Sequence, residues 1–290
     1  MESRHTFTAP GGATIAYRRW RCPSPRGAPP LVLIHGAASN LTRWTEFLEE
    51  TTLKSGRDIL RLDLRGHGES SWRGATSLEI WCDDIAGILG AEGVARAVLC
   101  GHCLGANVAG MFAARYPADT AGLVLVEPML RDALTGTLAT LRRLALPLQV
   151  AITGIRFLNR LGLHRRRLDA LDLQALDRDY RARLAEPGGA AALQKRYAST
   201  WEDLRIMPSA GYLQDMIEVV RPLPLTRIRT PFLALLATGR SFADAGRTRA
   251  ALEGLPSHEI RTLDCLHWIP TEQPQAMRAA IEDWLARNGL

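Results

Sequence analysis

The stretch Ala97-Val-Leu-Cys-Gly-His-Cys-Leu-Gly-Ala106 decides the fold of this chain of 290 residues. It begins as a short apolar strand and continues as a helix rich in small residues, with Gly-x-Cys-x-Gly at the junction. A nucleophile on a sharp strand-to-helix turn needs small neighbours two positions away on each side, and Gly101 and Gly105 meet that need. The N-terminus of a helix also favours a reactive thiolate. The stretch therefore predicts Cys103 as a catalytic nucleophile.

Strand-like runs alternate with helical patterns on both sides of this stretch, which is typical of a parallel sheet covered by helices. The alternation stops between about 129 and 228, where only helical patterns occur. We therefore predict one α/β core, formed by residues 1–127 and 229–290, that is interrupted by a helical cap over residues 128–228. The predicted strands cover residues 14–20, 31–34, 58–64, 97–100, 123–126, 232–237 and 259–263. The predicted helices of the cap cover residues 134–161, 168–184, 190–204 and 210–220.

Four segments, in this order and spacing, resemble the α/β-hydrolase family, and the resemblance covers nearly the whole chain. The segments are Leu31-Val-Leu-Ile-His-Gly-Ala-Ala38, Arg61-Leu-Asp-Leu-Arg-Gly-His-Gly-Glu-Ser70, Gly101-His-Cys-Leu-Gly105 and Leu266-His-Trp-Ile-Pro-Thr-Glu-Gln-Pro-Gln275. They look like the oxyanion-hole turn, the following strand and loop, the nucleophile elbow and the segment with the catalytic histidine. The cap lies where members of this family carry theirs. The resemblance implies an α/β-hydrolase fold with Cys in place of the usual nucleophilic Ser.

The resemblance also implies roles for individual residues. Cys103 would attack a carbonyl carbon, and His267 would hold its proton and later protonate the leaving group. The backbone N–H groups of Ala37 and Leu104 would stabilise the tetrahedral oxyanion. Candidate substrate-binding residues are His35, His102 and Trp268. For His35 and His102, packing within the turns is the favoured alternative.

The third member of the expected triad departs from the family pattern. The acid usually follows the penultimate strand, but Ser241 and Phe242 occupy that place in this sequence. Asp244, a little further along, is the slightly preferred candidate. Glu127, directly after the strand at 123–126, is the alternative, because some cap-bearing members use that position. A third possibility is that neither residue serves, since a thiol needs an acid less than a serine hydroxyl does.

These residues predict a cysteine-nucleophile hydrolase that acts on an ester, lactone or thioester, with neither cofactor nor metal. Dienelactone hydrolases and polyhydroxyalkanoate synthases share the Gly-x-Cys-x-Gly element, so the resemblance permits acyl transfer or cyclisation as the alternative. A non-hydrolytic member of the fold is the third possibility. Cys100-Gly-His-Cys103 is also a Cys-x-x-Cys motif, which raises the hypothesis of a reversible disulfide.

Composition limits the possible cellular location and the possible partners of the protein. The five cysteines are odd in number and scattered, which does not indicate a disulfide framework. No signal peptide is visible at the N-terminus, and the apolar stretch 144–155 is too short and too polar for a stable membrane span. We therefore expect a cytoplasmic protein. The formal net charge is +6, and the whole excess lies in the cap. This suggests a small acyl substrate that is anionic or linked to a carrier, such as coenzyme A or acyl carrier protein. Without stacking aromatics or a nucleic-acid motif, DNA and RNA are not expected partners.

Overall fold

An eight-stranded sheet forms the centre of the computed structural model, which describes residues 1–184, 186, 188–239 and 242–290. The strand order is β1-β2-β4-β3-β5-β6-β7-β8; β2 pairs antiparallel with β1 and β4, and all later pairs are parallel. The strands are β1 (Glu2–Thr8), β2 (Thr14–Trp20), β3 (Leu31–Ile34), β4 (Ile59–Leu62), β5 (Ala97–His102), β6 (Thr120–Val126), β7 (Phe232–Ala237) and β8 (His258–Leu263).

The central strands follow from their composition. Every residue of β3, β5, β6 and β7 is buried, as expected for parallel strands covered on both faces. The predicted strands agree with the observed ones to within a few residues. β1 was not predicted, because Phe7 is its one large apolar residue and the remaining side chains are polar. β1 lies at the edge of the sheet, where it pairs with β2. An edge strand is less buried than a central one, so its sequence can contain few apolar residues.

Helices cover both faces of the sheet. On one face, α2 and α3 enclose a core with residues such as Ile85 and Phe112, and on the other α1 and α12 enclose a core with Phe47 and Trp284. The predicted α/β core is thereby confirmed. The helices outside the cap are α1 (Thr45–Glu50), α2 (Leu78–Ala91), α3 (Leu104–Arg115), α10 (Ala245–Glu253), α11 (Ile269–Glu272) and α12 (Pro274–Arg287).

The segment between β6 and β7, here called the cap (residues 128–228), contains the other six described helices. The helix predicted over residues 134–161 is divided by a 3-10 turn at Arg142–Leu144, and the one predicted over 190–204 is divided after Tyr197. The helices are α4 (Gly136–Leu141), α5 (Ala145–Arg160), α6 (Leu173–Leu184), α7 (Gly189–Tyr197), α8 (Thr200–Ile206) and α9 (Ser209–Val219).

The helical run Gly136–Arg160 is longer than the apolar stretch 144–155 that the sequence analysis considered as a membrane span. With 25 residues and a mean hydropathy of 1.2 in its most apolar window, it is long and apolar enough to cross a bilayer by length and composition alone. Only 6% of that window is buried. Such a helix on its own is weak evidence for a membrane span.

Two buried ion pairs attach the cap to the core. Arg43 of the core contacts Asp177 of α6 at 2.7 Å, and His67 of the core contacts Asp215 of α9 at 2.7 Å. All four side chains are at most 4% exposed. Because a buried charge without its partner is costly, these pairs hold the cap in one position above the sheet.

Candidate active site

Cys103 lies on the sharp turn between β5 and α3. Its backbone has φ 54° and ψ −117°, an uncommon conformation for a residue with a side chain, and it occupies the N-cap position of α3. The turn is held by hydrogen bonds on both sides: Cys103 N–H donates to Val126 O at 2.9 Å, and Ala106 N–H donates to Cys103 O at 3.0 Å. Strain of this kind persists only where the surroundings enforce it. The turn thereby presents the thiol at the carboxyl edge of the sheet.

The glycines that flank the turn are required by close backbone contacts. A Cβ atom on Gly101 would lie 2.1 Å from Gly105 O, and one on Gly105 would lie 2.4 Å from the carbonyl oxygens of Ile34 and His35. Both clashes involve backbone atoms, which cannot move aside as the end of a side chain can. The Gly-x-Cys-x-Gly spacing therefore reflects how closely α3 packs against the turn after β3.

The two N–H groups predicted to stabilise an oxyanion both lie beside Cys103. Ala37 lines the same cavity as Cys103, in the turn after β3, and Leu104 is the first residue of α3. Among the described residues, no backbone carbonyl accepts a hydrogen bond from either N–H. Donors that are unoccupied and fixed by a turn and a helix N-terminus can bind a developing negative charge without rearrangement.

His267 lies between Cys103 and Glu127. Its Nδ1 is 3.0 Å from Glu127 Oε2, and the imidazole is only 4% exposed. Burial lowers the pKa of His267, but the interactions with the Cys103 and Glu127 side chains outweigh burial and raise its pKa to about 10. The imidazole therefore holds a proton at neutral pH. Glu127 is itself held by a hydrogen bond from Ala237 N–H to its Oε1, at 2.5 Å.

Of the two candidate acids, the structure places Glu127 beside His267, so the preference for Asp244 was wrong. Asp244 is the N-cap residue of α10, where its Oδ1 accepts a hydrogen bond from Arg247 N–H at 2.9 Å. Phe242 places its ring edge-on against His267, with ring centroids 4.9 Å apart. Ser241 lies outside the described residues. Glu127, with φ 50°, leaves β6 in a turn that directs its longer side chain to the imidazole.

The three candidate substrate-binding residues have different positions. His35 is fully buried and does not line the cavity. Its ring nitrogens bond Gly36 O at 2.7 Å and Leu64 N–H at 3.0 Å. It therefore packs within the turn before Ala37, which was the favoured alternative, and the structure contradicts the substrate contact. His102 and Trp268 both line the cavity. Burial, together with the neighbouring His267, lowers the pKa of His102 well below its ordinary value, so this ring is neutral.

Glu272 was missed as a positioning residue. Its carboxylate accepts hydrogen bonds from the N–H groups of Leu266, His267 and Trp268, at 2.9, 3.2 and 3.0 Å. One side chain thereby fixes the backbone of the loop that carries the imidazole. The available signal was an acidic residue in a short helix that directly follows the histidine, since carboxylates there satisfy free backbone donors.

The thiol opens into a cavity of about 530 Å³ between core and cap. The walls are mainly apolar, and most of them belong to the cap: Leu138, Leu141, Leu148, Leu171, Leu173, Leu176, Ile206, Leu213, Met216 and Val219. Tyr197 and Tyr212 also line the cavity, whereas Trp201 is 81% exposed. The described polar residues of the wall include Arg43, Arg196 and Asp203. A cavity of this size and polarity suits an apolar small molecule or acyl chain.

Cys100 and Cys103 lie in different surroundings, which disfavours the hypothesis of a reversible disulfide. Both are free thiols, and Cys100 is fully buried in the core on the other face of the sheet. Burial raises the pKa of the Cys100 thiol, which makes it inert. Within the described part of the chain, no group of three His, Cys, Asp or Glu side chains is placed to hold a metal ion.

Comparison with known proteins shows what this chain is similar to. It is 24% identical over 265 residues to mouse sn-1-specific diacylglycerol lipase ABHD11, and the alignment covers 89% of this chain and 81% of the lipase. It is 33% identical over 114 residues to the bifunctional esterase/perhydrolase DCH of Acinetobacter calcoaceticus, covering 39% and 40% of the two chains. A hydrolase from Pseudomonas aeruginosa PA01 shares the fold, with a TM-score of 0.68, 22% identity and 98% coverage of both chains.

The family model for the alpha/beta hydrolase fold matches residues 29–274, which include every residue of the candidate site. The mostly parallel eight-stranded sheet flanked by helices agrees with that match. By this match and its tertiary structure, the chain belongs to the alpha/beta hydrolase fold family.

Proposed function

We propose that the protein hydrolyses a carboxylic ester, lactone or thioester through an acyl-cysteine intermediate on Cys103. One observation carries the proposal: His267 lies between the Cys103 thiol and the Glu127 carboxylate at the floor of an apolar cavity. The names of the mouse and Acinetobacter relatives, a lipase and an esterase, support ester cleavage.

The chemistry follows from the positions of these groups. The Cys103 thiolate forms a bond to the carbonyl carbon, and the electron pair of the C=O bond moves to the oxygen. The N–H groups of Ala37 and Leu104 donate hydrogen bonds to the oxyanion that results. The intermediate collapses, the bond to the leaving group breaks, and His267 donates its proton to the departing alkoxide or thiolate. Water then attacks the acyl-cysteine while His267 accepts a proton from it. The carboxylic acid leaves, and the thiolate–imidazolium pair is restored.

The polarity of the cavity favours an uncharged acyl chain. The two arginines among its described lining residues are both paired, Arg43 with Asp177 at 2.7 Å and Arg196 with Glu202 at 3.7 Å. A carboxylate at the far end of the substrate would therefore have no unpaired arginine among these lining residues to neutralise it. If the acyl group is linked to an anionic carrier, we propose that the charged carrier remains outside the cavity.

Intact-protein mass spectrometry after mixing with a panel of acyl esters and thioesters tests the proposal. We expect a mass increase of one acyl group that maps to Cys103 and decays as free acid appears. The Cys103→Ala variant should show neither adduct nor turnover, and Cys100→Ala should behave as the wild type does. Full turnover by Cys103→Ala would show that the nucleophile is another group.

Acyl transfer is the second candidate, and the choice of nucleophile favours it for thioester substrates. An acyl-cysteine is itself a thioester, so exchange with a thioester substrate is nearly balanced in energy. Product analysis with and without an added alcohol or amine distinguishes the two reactions. A hydrolase should release free acid at the same rate in both, whereas a transferase should form the new ester or amide at the expense of the acid.

A further inference from the structure

The outer part of the cap, residues 133–168, has an unusual charge. This segment, here called the outer cap segment, contains seven arginines and no lysine, and neither Asp nor Glu occurs in it. The net charge of the whole chain is +6, so the segment accounts for all of the excess. Three of the arginines are consecutive, at Arg165, Arg166 and Arg167, and all three are exposed.

The same segment exposes a row of large apolar side chains. Leu146, Val150, Phe157 and Leu161 are 81%, 71%, 59% and 61% exposed. Their spacings of four, seven and four residues place them on one face of α5 and its C-terminal end. Leu163, which follows, is 65% exposed. Contiguous exposed apolar patches mark surfaces that contact other proteins or membranes.

The opposite face of α5 belongs to the protein interior. Ile152 is fully buried, and Leu148 lines the cavity beside Cys103. If α5 crossed a bilayer, both side chains would leave these positions and the cavity would lose part of its wall. The helix therefore lies on the surface of the protein, with one face packed against the interior and the other directed outward.

We propose that the outer cap segment docks the protein on a membrane surface that contains acidic phospholipids. Leu146, Val150, Phe157 and Leu161 would enter the boundary between headgroups and acyl chains. The arginines that are exposed and not paired with an acid would contact lipid phosphates; they are Arg143, Arg160, Arg165, Arg166 and Arg167. An apolar helix face bordered by cations and free of acidic residues is the pattern of an interfacial helix. An acidic carrier protein would pair with the arginines but would leave the apolar row exposed to water, so the bilayer accounts for both features.

Docking in this orientation has a consequence for access to the site. Leu141 and Leu148 of the outer cap segment form part of the cavity wall, so the cavity lies directly behind the docked helix. An apolar acyl substrate dissolved in the bilayer would have a short path to it. The proposal itself depends only on the surface of the cap, and it stands or falls independently of the chemistry at Cys103.

Vesicle co-sedimentation of the full chain tests the proposal. The two vesicle preparations would be phosphatidylcholine alone and phosphatidylcholine with about one third phosphatidylglycerol. We expect clear binding to the acidic vesicles, weaker binding to the neutral ones, and a decrease with added salt. Cys103→Ala should bind as the wild type does, which separates this test from the proposed reaction. If the wild type binds neither preparation, the proposal is wrong.

Substitutions in the segment locate the binding surface. L146S/V150S/F157S should lower the partition coefficient on both preparations by at least about tenfold, since buried apolar groups drive insertion. R165A/R166A/R167A should lower it by at least about tenfold on acidic vesicles and little on neutral ones. The matched controls are Gln149→Ser on α5 and Arg229→Ala and Arg247→Ala on the exposed surface of the core, which should change neither value.

Activity on a soluble short-chain ester provides a folding control, because none of the substituted residues lines the cavity. We expect unchanged turnover for both sets of variants. Two results would assign the face to another partner and overturn the proposal. One is binding to an acidic carrier protein without binding to vesicles, and the other is a wild-type dimer in solution that L146S/V150S/F157S dissociates.

Discussion

Glu127 and Asp244 show how much depends on single side chains in this molecule. Both carboxylates follow a parallel strand: Glu127 comes directly after β6, whereas Asp244 comes well after the end of β7, at the start of α10. Only Glu127 has its carboxylate within hydrogen-bond distance of His267, at 3.0 Å. Asp244 instead satisfies a free N–H group at the start of α10. The proposed acid of the triad is therefore Glu127, and Asp244 is a helix cap.

Substitution of both acids by their amides tests this assignment. Glu127→Gln should lower kcat by about 100-fold or more, because His267 loses the charge that orients it and stabilises its protonated form. Asp244→Asn should leave kcat within a few-fold of the wild type, since Asn caps a helix as well as Asp does. Steady-state kinetics on one soluble ester measures both variants. A large loss in Asp244→Asn with none in Glu127→Gln would contradict the assignment.

We expect Asp203 to make substrate binding depend on pH. Burial raises the pKa of this cavity-lining carboxyl to about 7, although the nearby Arg196 opposes the shift. Below pH 7 the side chain is neutral and compatible with an apolar acyl chain; above pH 7 it ionises, and excluding water from it becomes costly.

KM measured across this range checks the effect. For an apolar acyl ester, we expect KM to rise as the pH increases through about 7 in the wild type. Asp203→Asn cannot ionise and should give a KM that is flat over the same range. A wild-type KM that is equally flat would show that the carboxyl does not contact the bound chain.

At the scale of the secondary-structure elements, the turn between β5 and α3 is defined by backbone contact. Gly101→Ala should destabilise the protein by about 3 kcal/mol or more, because its Cβ would lie 2.1 Å from Gly105 O and neither backbone segment can move away. Gly90→Ala is the matched control: it lies near the end of α2, and a Cβ there meets nothing within 4 Å. It should be neutral or stabilise the protein by up to about 1 kcal/mol. Urea denaturation gives both values.

The elements could mostly be predicted because their signals are local. Apolar runs bounded by Gly and Pro predict β3, β5 and β7, and the helical period predicts α2 and α12. β1 escaped prediction because its pairing with β2, rather than its own composition, makes it a strand. The break between α4 and α5 at Arg142–Leu144 has a local cause that the predicted helix over 134–161 ignored: Pro147, in the first turn of α5, has no N–H to donate to the carbonyl of Arg143.

At the scale of the whole molecule, the cap and the core depend on each other through buried charges. Asp177→Ala would leave Arg43 buried without its carboxylate, which should destabilise the protein by about 3–5 kcal/mol and loosen the cap. Asp179→Ala is the matched control on the same helix, since its pair with Arg183 is 54% exposed on the Asp side and contributes little.

Limited proteolysis and kinetics would report the loosening of the cap. Cleavage in Asp177→Ala should concentrate within the cap, and KM should rise as the cavity loses part of its wall. Asp179→Ala should be cleaved at the wild-type rate. Equal cleavage of both variants would mean that the buried pair does not hold the cap in place.

Local sequence was enough to predict the alternation of strands and helices and to select Cys103, His267, Ala37 and Leu104 as candidate site residues. These follow from short-range rules: hydrophobic period, the steric demand of a tight turn, and motifs in which neighbours in the chain are neighbours in space. Tertiary structure decided the rest. It paired His267 with a carboxylate 140 residues away, buried His35 in a turn, and left one face of α5 in water. Contacts between distant segments depend on how the whole chain packs, and no local pattern specifies them.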